Sequence, residues 1–228
     1  MKYIFIITIG RTGSTLLSHM VNDQIKMSKG EFSNEIAIEN IFEMILNMEK
    51  NMRLYEAHMP KSIKARRDSH PHYRYKYVEN DAVDMELFLE TPLNYIFGDK
   101  LNIVGCKSIF MLLREEQKVI NGKEKLKHII SLLSKIIDVN FIVLTRKFTA
   151  VDASRRRVMF SRGNVRKAAD ILDALNDLKS LDGDRVHHIA YENMIKPEDD
   201  TLKNIFVKMK IGFNRKIYTR SLKKKCSY

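Results

Sequence analysis

The sequence is poor in the residues that disulfide frameworks and metal centres require. Only two of its 228 residues are cysteine, and it has no tryptophan. Cys106 lies in an apolar run and Cys226 lies in the tail, so the two do not form a disulfide framework or a metal site. No group of His, Cys and Asp residues has metal-ligand spacing either. We therefore expect a protein that works without a bound metal.

Long hydrophobic runs are also missing. The apolar run at residues 3–9 is far shorter than the roughly 20 residues that a membrane-spanning helix needs. It passes directly into a glycine-containing loop, which a signal peptide does not do. We expect a soluble, cytoplasmic protein with no membrane span. A length of 228 residues fits one α/β domain, residues 1–228, with a sizeable core.

Acidic residues are scarce relative to basic ones. The chain has 28 Asp and Glu against 40 Lys and Arg, which gives a formal net charge of +12. The excess is concentrated in residues 61–77, 146–167 and 215–225, so the rest of the chain is net negative. Local basicity favours a focused anionic ligand or a nucleic-acid face over general solubility. A solvated charged surface is the alternative for part of it, especially Lys223–Lys225.

The loop Gly10–Thr15 joins a predicted strand to a predicted helix. Residues 3–9 are mostly β-branched or aromatic with almost no polar alternation, which is typical of a parallel strand buried on both faces. The two glycines allow a tight turn that exposes consecutive N–H groups, and Ser14 or Thr15 can cap the helix that follows. Such amides at a helix N-terminus form an anion site. A plain turn between strand and helix is the alternative.

The same loop lacks the features of a Walker A sequence. A Walker A loop has four residues between its glycines and a Lys before the hydroxyl residue. Here only Arg11 and Thr12 separate Gly10 from Gly13, so the cation lies inside the loop. No later apolar strand ends in the Asp that would help to hold Mg²⁺. The pattern argues against a metal-dependent kinase or NTPase.

Three more buried strands are predicted, with helical stretches between them. They are residues 101–106, 140–145 and 186–190. Strands that alternate with helices indicate a single α/β domain with a parallel sheet of four to five strands, in a P-loop-like nucleotide-binding architecture. Ligands bind at the carboxyl ends of such strands, where Lys107 and Arg146 are expected. Ser154, about two turns into the next helix, is placed to reach a second phosphate together with Arg146.

Two segments outside these strands are also candidates for function. Glu31 lies in a predicted loop after the first helix, with Gly30 as the helix C-cap, although an isolated loop glutamate is usually only surface. Residues 55–80 have no apolar period and contain prolines, histidines and basic residues. We interpret them as a mobile or acceptor-binding segment, and disorder is the alternative.

Four segments, in chain order, resemble sulfotransferases that use 3′-phosphoadenosine 5′-phosphosulfate (PAPS). Residues 10–17 resemble the 5′-phosphosulfate loop, and residues 104–107 resemble the strand-end Lys segment. Residues 141–146 with Ser154 resemble the 3′-phosphate motif. Residues 191–194 resemble the Tyr-Glu-Asp/Asn segment near the adenine. The family's eight-residue spacing from Arg to Ser is kept. The resemblance extends from Gly10 to about Phe213.

Within this family the sequence is more like the Golgi-type and bacterial members. Arg11 stands where the cytosolic small-molecule enzymes usually have Lys. Lys107 is followed by Ser108 rather than by the His that serves cytosolic members as base. Gly30-Glu31 is instead similar to the Gly-Glu pair of Golgi-type and bacterial members, whose loop glutamate acts as base in some of them. The Arg-Lys-Gly segment that cytosolic enzymes carry near the C-terminus is absent.

The resemblance implies a transfer of the sulfuryl group from PAPS to a hydroxyl of a carbohydrate or small-molecule acceptor, without a metal, which leaves adenosine 3′,5′-bisphosphate. It implies cofactor binding by Arg11, Thr12, Gly13, Ser14, Thr15, Arg146, Ser154 and Tyr191. It gives catalytic roles to Arg11, to Lys107 and, as general base, to Glu31. A kinase with a degenerate loop and a non-enzymatic nucleic-acid binder are the alternatives. The sequence identifies neither the acceptor nor the oligomeric state.

Overall fold

The computed structural model describes residues 1–33, 101–109, 122–159 and 168–223. Its strands are β1 Lys2–Thr8, β2 Gly30–Ser33, β3 Ile103–Ile109, β4 Val139–Thr145 and β5 Val186–Ala190. Its helices are α1 Ser14–Ile25, α2 Gly122–Ile136, α3 Phe148–Met159, α4 Ala168–Lys179, α5 Tyr191–Met194, α6 Thr201–Lys208 and α7 Arg215–Leu222, with a 3₁₀ turn at Lys26–Ser28. The predicted acceptor segment, residues 55–80, lies outside the described residues.

The five strands form one parallel sheet in the order β2-β3-β1-β4-β5. All seven residues of β4 are buried, as are all but the first of β1, because both strands lie inside the sheet with helices on each face. After β1 the chain forms the edge strand β2, then β3 between β2 and β1, and then β4 and β5 on the other side of β1. Such a reversal opens a crevice at the carboxyl ends of the two strands beside it, here β1 and β4.

Each face of the sheet has its own apolar core. Alternate side chains along β1 point to opposite faces, so Ile4 and Ile6 pack with α1, α5, α6 and α7, whereas Phe5 and Ile7 pack with α2, α3 and α4. The two layers of helices therefore cover both faces. Among the described helices, none is long and apolar enough to cross a membrane.

The predicted fold class, a single α/β domain with a parallel sheet flanked by helices, is confirmed. β5 has the predicted bounds, and β4 begins one residue before them. β3 was predicted to end at Cys106, but it continues to Ile109, so Lys107 lies within the strand and is level with Ile6 of β1. The strand extends because parallel pairing with β1 continues past the apolar run on which the prediction depended.

The interpretation of Glu31 as a loop residue is wrong, because residues 30–33 form the short strand β2. Its backbone pairs with β3, with Glu31 level with Val104. Gly105 makes room for this strand, since a Cβ at that position would lie 2.6 Å from the ring of Phe32. The pairing is between segments far apart in the chain, and four residues carry no periodicity that would reveal it.

Candidate functional site

The loop after β1 leaves the N-terminus of α1 without a side-chain cap. Gly13 is the N-cap residue, with a left-handed φ of +92°, and it makes no capping hydrogen bond through a side chain. The first helical hydrogen bond runs from Leu17 N to Gly13 O at 3.2 Å. Ser14 and Thr15 therefore lie inside the helix, and the expectation that they cap it is wrong. The amides of the first turn have no partner within the helix, as an anion site requires.

Buried hydroxyl groups hold the loop in place. The Thr8 hydroxyl donates to the carbonyl of Leu144 at 3.1 Å, which ties the end of β1 to β4. It also shares a short hydrogen bond with the hydroxyl of Thr12. Thr12 is completely buried and does not line the cavity that the loop borders. Its side chain therefore anchors the loop and does not face a ligand.

A cavity of about 690 Å³ lies above the crevice between β1 and β4. Small-molecule sites commonly have volumes of roughly 300–1,000 Å³. The predicted site residues that line it are Arg11, Gly13, Ser14, Thr15, Lys107, Arg146, Ser154 and Tyr191. Among the described residues, no Asp or Glu lines it, while Lys223 adds a fourth basic side chain. The cavity is therefore suited to a strongly anionic ligand.

Hydrogen bonds connect the loop to the two predicted 3′-phosphate residues. Arg11 Nε donates to Ser154 Oγ at 3.2 Å, and Arg146 Nη1 donates to the carbonyl of Arg11 at 3.1 Å. Three separate elements, the α1 loop, the end of β4 and α3, thus meet at one point. In the part of the chain that the structure describes, the buried Nε of Arg146 has no hydrogen-bond acceptor. A buried guanidinium nitrogen of this kind calls for an acceptor such as a phosphate oxygen.

Tyr191 packs between Arg146 and the loop. The Arg146 guanidinium carbon lies 4.3 Å from the centroid of the tyrosine ring, a favourable cation–π distance. The Cδ2–Cε2 side of the ring lies against Gly13, where a Cβ would be only 2.4 Å from both atoms. Glu192, the next residue, accepts a hydrogen bond from Lys147 N at 3.0 Å. The Tyr-Glu pair therefore holds the end of β5 against the end of β4 and orients Arg146.

Lys107 and Glu31 do not come together. Lys107 lines the cavity from β3, whereas the exposed Glu31 does not line it. Side chains alternate along a strand, and Phe32 and Ile103 pack on the α1 face, so Glu31 points to the opposite face from Lys107. Through β3, Glu31 is also level with Tyr3, which places it about 17 Å before the end of β1 at a rise of 3.3 Å per residue.

The cavity also has a side that the sequence motifs did not predict. Leu16, Ile195, Pro197, Thr219 and Leu222 line it, from α1, from the turn after α5 and from α7. Leu16 lies within the predicted loop segment, residues 10–17, but the other four residues have no spacing or chemistry that marks a ligand site in the sequence. Only the apolar periodicity of α7 could have indicated that this helix packs on the domain.

Comparison with solved structures finds sulfotransferases among the similar folds. The sulfotransferase domain from the curacin biosynthetic pathway matches with a TM-score of 0.52 and 16% identity, over 95% of this chain and 76% of that one. The sulfotransferase domain of the Synechococcus PCC 7002 olefin synthase matches with a TM-score of 0.50 and 16% identity, again over 95% and 76%. A sulfotransferase from Alicyclobacillus acidocaldarius has a TM-score of 0.44 and 8% identity, over 93% and 82%.

No family model and no curated protein matches the sequence. The similarity between this chain and the curacin and olefin synthase domains is therefore a similarity of three-dimensional structure. At 16% identity it shows the fold. The chain has a sulfotransferase-like α/β fold, and its cavity lies at the carboxyl edge of the sheet, where folds of this kind bind their ligands.

Proposed function

We propose that the protein is a PAPS-dependent sulfotransferase that acts on a hydroxyl group of a carbohydrate or small-molecule acceptor. One observation carries the proposal: the uncapped N-terminus of α1, Arg11, Arg146 and Ser154 all meet at the same basic cavity. The helix N-terminus with Arg11 forms one part of this arrangement, and Arg146 with Ser154 forms the other. PAPS carries phosphate groups at two positions, which matches the two parts of this arrangement.

The residues present fit the two anionic ends of the cofactor. The 5′-phosphosulfate would be held by the amides at the start of α1 and by Arg11, because helix N-termini bind phosphate groups. The 3′-phosphate would be held by Arg146 and Ser154, where the buried Nε of Arg146 would gain an acceptor. The 3′-phosphate distinguishes PAPS from ATP, so Arg146 and Ser154 would set the choice of cofactor.

When bound, PAPS supplies the activated sulfuryl group, and the protein contributes position and charge. The first amides of α1 and the Arg11 guanidinium would stabilise negative charge as it grows on the 5′-phosphate. Lys107 would assist from β3. Glu31 as the general base stays a prediction that depends on the family resemblance, and its position, away from the cavity lining and on the opposite face from Lys107, gives that role no support.

A thermal-shift experiment tests the proposal. Adenosine 3′,5′-bisphosphate should raise the melting temperature of the wild-type protein by several degrees, and ATP with Mg²⁺ should raise it much less. Arg146→Ala should nearly abolish the shift. Arg157→Ala, which removes an exposed arginine of α3 outside the cavity lining, should leave it unchanged.

Equal stabilisation by ATP, or none by the bisphosphate, would contradict the proposal. A shift with ATP that depends on Mg²⁺ would favour a kinase. Salt-dependent retention on a DNA or RNA column that survives addition of the bisphosphate would favour a nucleic-acid binder.

A further inference from the structure

Two buried threonine hydroxyls lie next to each other at the start of the loop Gly10–Thr15. Thr8 is the last residue of β1 and Thr12 lies inside the loop, and both residues are completely buried. Neither of them lines the cavity. A buried hydroxyl group costs free energy unless it is hydrogen-bonded, so the partners of these two groups show which segments they hold together.

The two hydroxyls form a hydrogen-bonded chain from the loop to β4. Thr8 donates its single proton to the carbonyl oxygen of Leu144 at 3.1 Å, so the proton in the short hydrogen bond between the two threonines comes from Thr12. The Thr12 hydroxyl also lies 2.9 Å from the carbonyl oxygen of Ile9. Thr8 thus accepts from the loop while it donates to β4, an arrangement in which each hydrogen bond strengthens the other.

Each end of this chain is close to one of the two parts of the proposed cofactor site. Thr12 lies between Arg11 and Gly13, which is the N-cap residue of α1. Leu144 lies two residues before Arg146. The Arg146 guanidinium donates to the Arg11 carbonyl at 3.1 Å, and both arginines line the cavity. The loop and the end of β4 are therefore joined twice, once at the cavity and once in the buried layer below it.

The backbone on both sides of Thr12 is in an uncommon conformation. Arg11 has a φ of +75° and Gly13 has a φ of +92°. A positive φ is uncommon for a residue other than glycine and persists where the surrounding contacts hold it. The buried hydrogen bonds of Thr12 supply such contacts next to Arg11, and they keep the Arg11 carbonyl oxygen in its position beside Arg146.

We infer that Thr8 and Thr12 are positioning residues that fix the distance between the two phosphate-binding parts of the cavity. This role rests on the proposed function. The loop with Arg11 and the pair Arg146 and Ser154 belong to different elements, so a ligand with two phosphate groups binds both parts at once only when their separation is held. When it is held, the second phosphate binds as an intramolecular group. The two hydroxyls therefore support the preference for a bisphosphate without touching it.

Three nucleotides distinguish this role from support of one phosphate site alone. Isothermal titration of the full chain with adenosine 3′,5′-bisphosphate, adenosine 5′-monophosphate and adenosine 3′-monophosphate gives two affinity ratios, and each ratio measures what one phosphate adds in the presence of the other. Thr8→Val keeps the shape of the side chain and removes the hydroxyl. It should lower both ratios roughly fivefold, the order expected for the loss of one buried hydrogen bond. The affinities for the two monophosphates should change less than about twofold.

Three further variants control this measurement. Thr8→Ser keeps the hydroxyl and should keep both ratios. Thr12→Val should act as Thr8→Val does, and the double variant should lose no more than either single variant, because the two hydroxyls belong to one chain. Ser18→Ala is the matched control, since the buried Ser18 hydroxyl donates to the carbonyl of Ser14 within α1 at 2.9 Å and Ser18 lies outside the cavity lining. It should leave both ratios unchanged.

The outcomes separate this inference from the proposed function. If the wild type prefers the bisphosphate to both monophosphates and Thr8→Val keeps both ratios, the inference is overturned while the proposed function stands. A fall in only one ratio also overturns it, because the hydroxyls would then support one phosphate site alone. Loss of stability by itself would weaken all three nucleotides equally and keep the ratios, which again counts against a positioning role.

If the wild type does not prefer the bisphosphate, both the inference and the proposed function fail. A fall in both ratios in Thr8→Val and Thr12→Val, with Thr8→Ser and Ser18→Ala unchanged, supports the inference.

Discussion

The two sides of strand β1 differ in how completely their predicted residues come together. On the side of β4 and β5, Ser154 and Arg146 form hydrogen bonds with Arg11 of the loop at 3.2 and 3.1 Å, and the Arg146 guanidinium carbon lies 4.3 Å from the centroid of the Tyr191 ring. Among the described residues on the side of β3 and β2, only Lys107 lines the cavity, and Glu31 points to the opposite face of the sheet from Lys107. The described residues on the side of β4 and β5 are thus joined by direct contacts, whereas those on the side of β3 and β2 contribute one predicted residue to the cavity.

The difference arises because Arg146 and Ser154 are positioned by elements next to them in the chain, whereas Glu31 is positioned by pairing with a distant strand. Arg146 follows a seven-residue buried strand directly, and Ser154 lies a fixed number of helical residues later, so sequence spacing is sufficient to place both. Glu31 depends on the register of a four-residue edge strand, and register is not visible in so short a segment.

The largest effect on stability is expected at Gly13, on the side of β4 and β5. Gly13→Ala places a side chain at a φ of +92° and within 2.4 Å of the Tyr191 ring, so it should destabilise the fold by at least about 1–3 kcal/mol from the backbone alone. It should also lower bisphosphate affinity, since the loop and Tyr191 cannot both keep their positions. Denaturant unfolding and calorimetric titration measure the two effects.

Gly212→Ala is the matched control for this substitution. A Cβ at Gly212 would have no atom within 4 Å, and its φ is not left-handed, so it should be neutral or stabilising by up to about 1 kcal/mol. Equal destabilisation by both substitutions would show that the loop conformation at Gly13 is not specifically required.

A large effect on turnover is expected at Lys107, which lines the cavity from β3 on the other side of β1 from Arg146. Lys107→Ala should lower turnover about 100-fold, the order seen when one group that stabilises transition-state charge is removed. Affinity for adenosine 3′,5′-bisphosphate should fall much less, because Arg11, Arg146 and Ser154 remain. A loss of affinity as large as the loss of turnover would make Lys107 a binding residue instead.

Glu31→Gln tests the weaker side of the comparison. Bisphosphate affinity should stay unchanged, because Glu31 does not line the cavity. The family resemblance predicts that turnover falls by about 10²–10⁴-fold, as when a general base is lost. Retained turnover would remove Glu31 as the base and would direct the search to the residues outside the described ranges, including residues 55–80.

The smallest effect is expected at His187, whose buried Nε2 lies 3.2 Å from Asn140 Oδ1. Burial, followed by the charges of Lys208 and Arg185, lowers the pKa of His187 below its ordinary value of 6.5. Below pH 6.5 the unfolded chain therefore binds more protons than the folded one, so stability should fall as the pH drops from 6.5 toward the folded pKa.

His187→Gln removes this contribution, so its melting temperature should fall less between pH 7 and pH 5.5 than that of the wild type. Identical profiles for the wild type and His187→Gln would contradict the assignment.

Most of the sheet could be predicted from the sequence, because buried parallel strands are continuous apolar runs, as in residues 140–145. The turn between β1 and α1 was also recognisable, from the two glycines of the loop Gly10–Thr15. The strand β2, the inward orientation of Thr12 and the packing of α7 against α1 could not be predicted. Each depends on contacts between distant segments, such as Phe32 on Gly105 or Asn214 with Gln24, which leave no local pattern.

The central claim is that the cavity recognises two phosphate positions, one of them through Arg146. Calorimetric titration of the wild type and Arg146→Ala with adenosine 3′,5′-bisphosphate and adenosine 5′-monophosphate tests it most directly. We predict that the wild type prefers the bisphosphate by roughly 100-fold, as expected for a charge-assisted phosphate contact, and that Arg146→Ala loses most of this preference. Equal affinity of the wild type for both nucleotides would contradict the account.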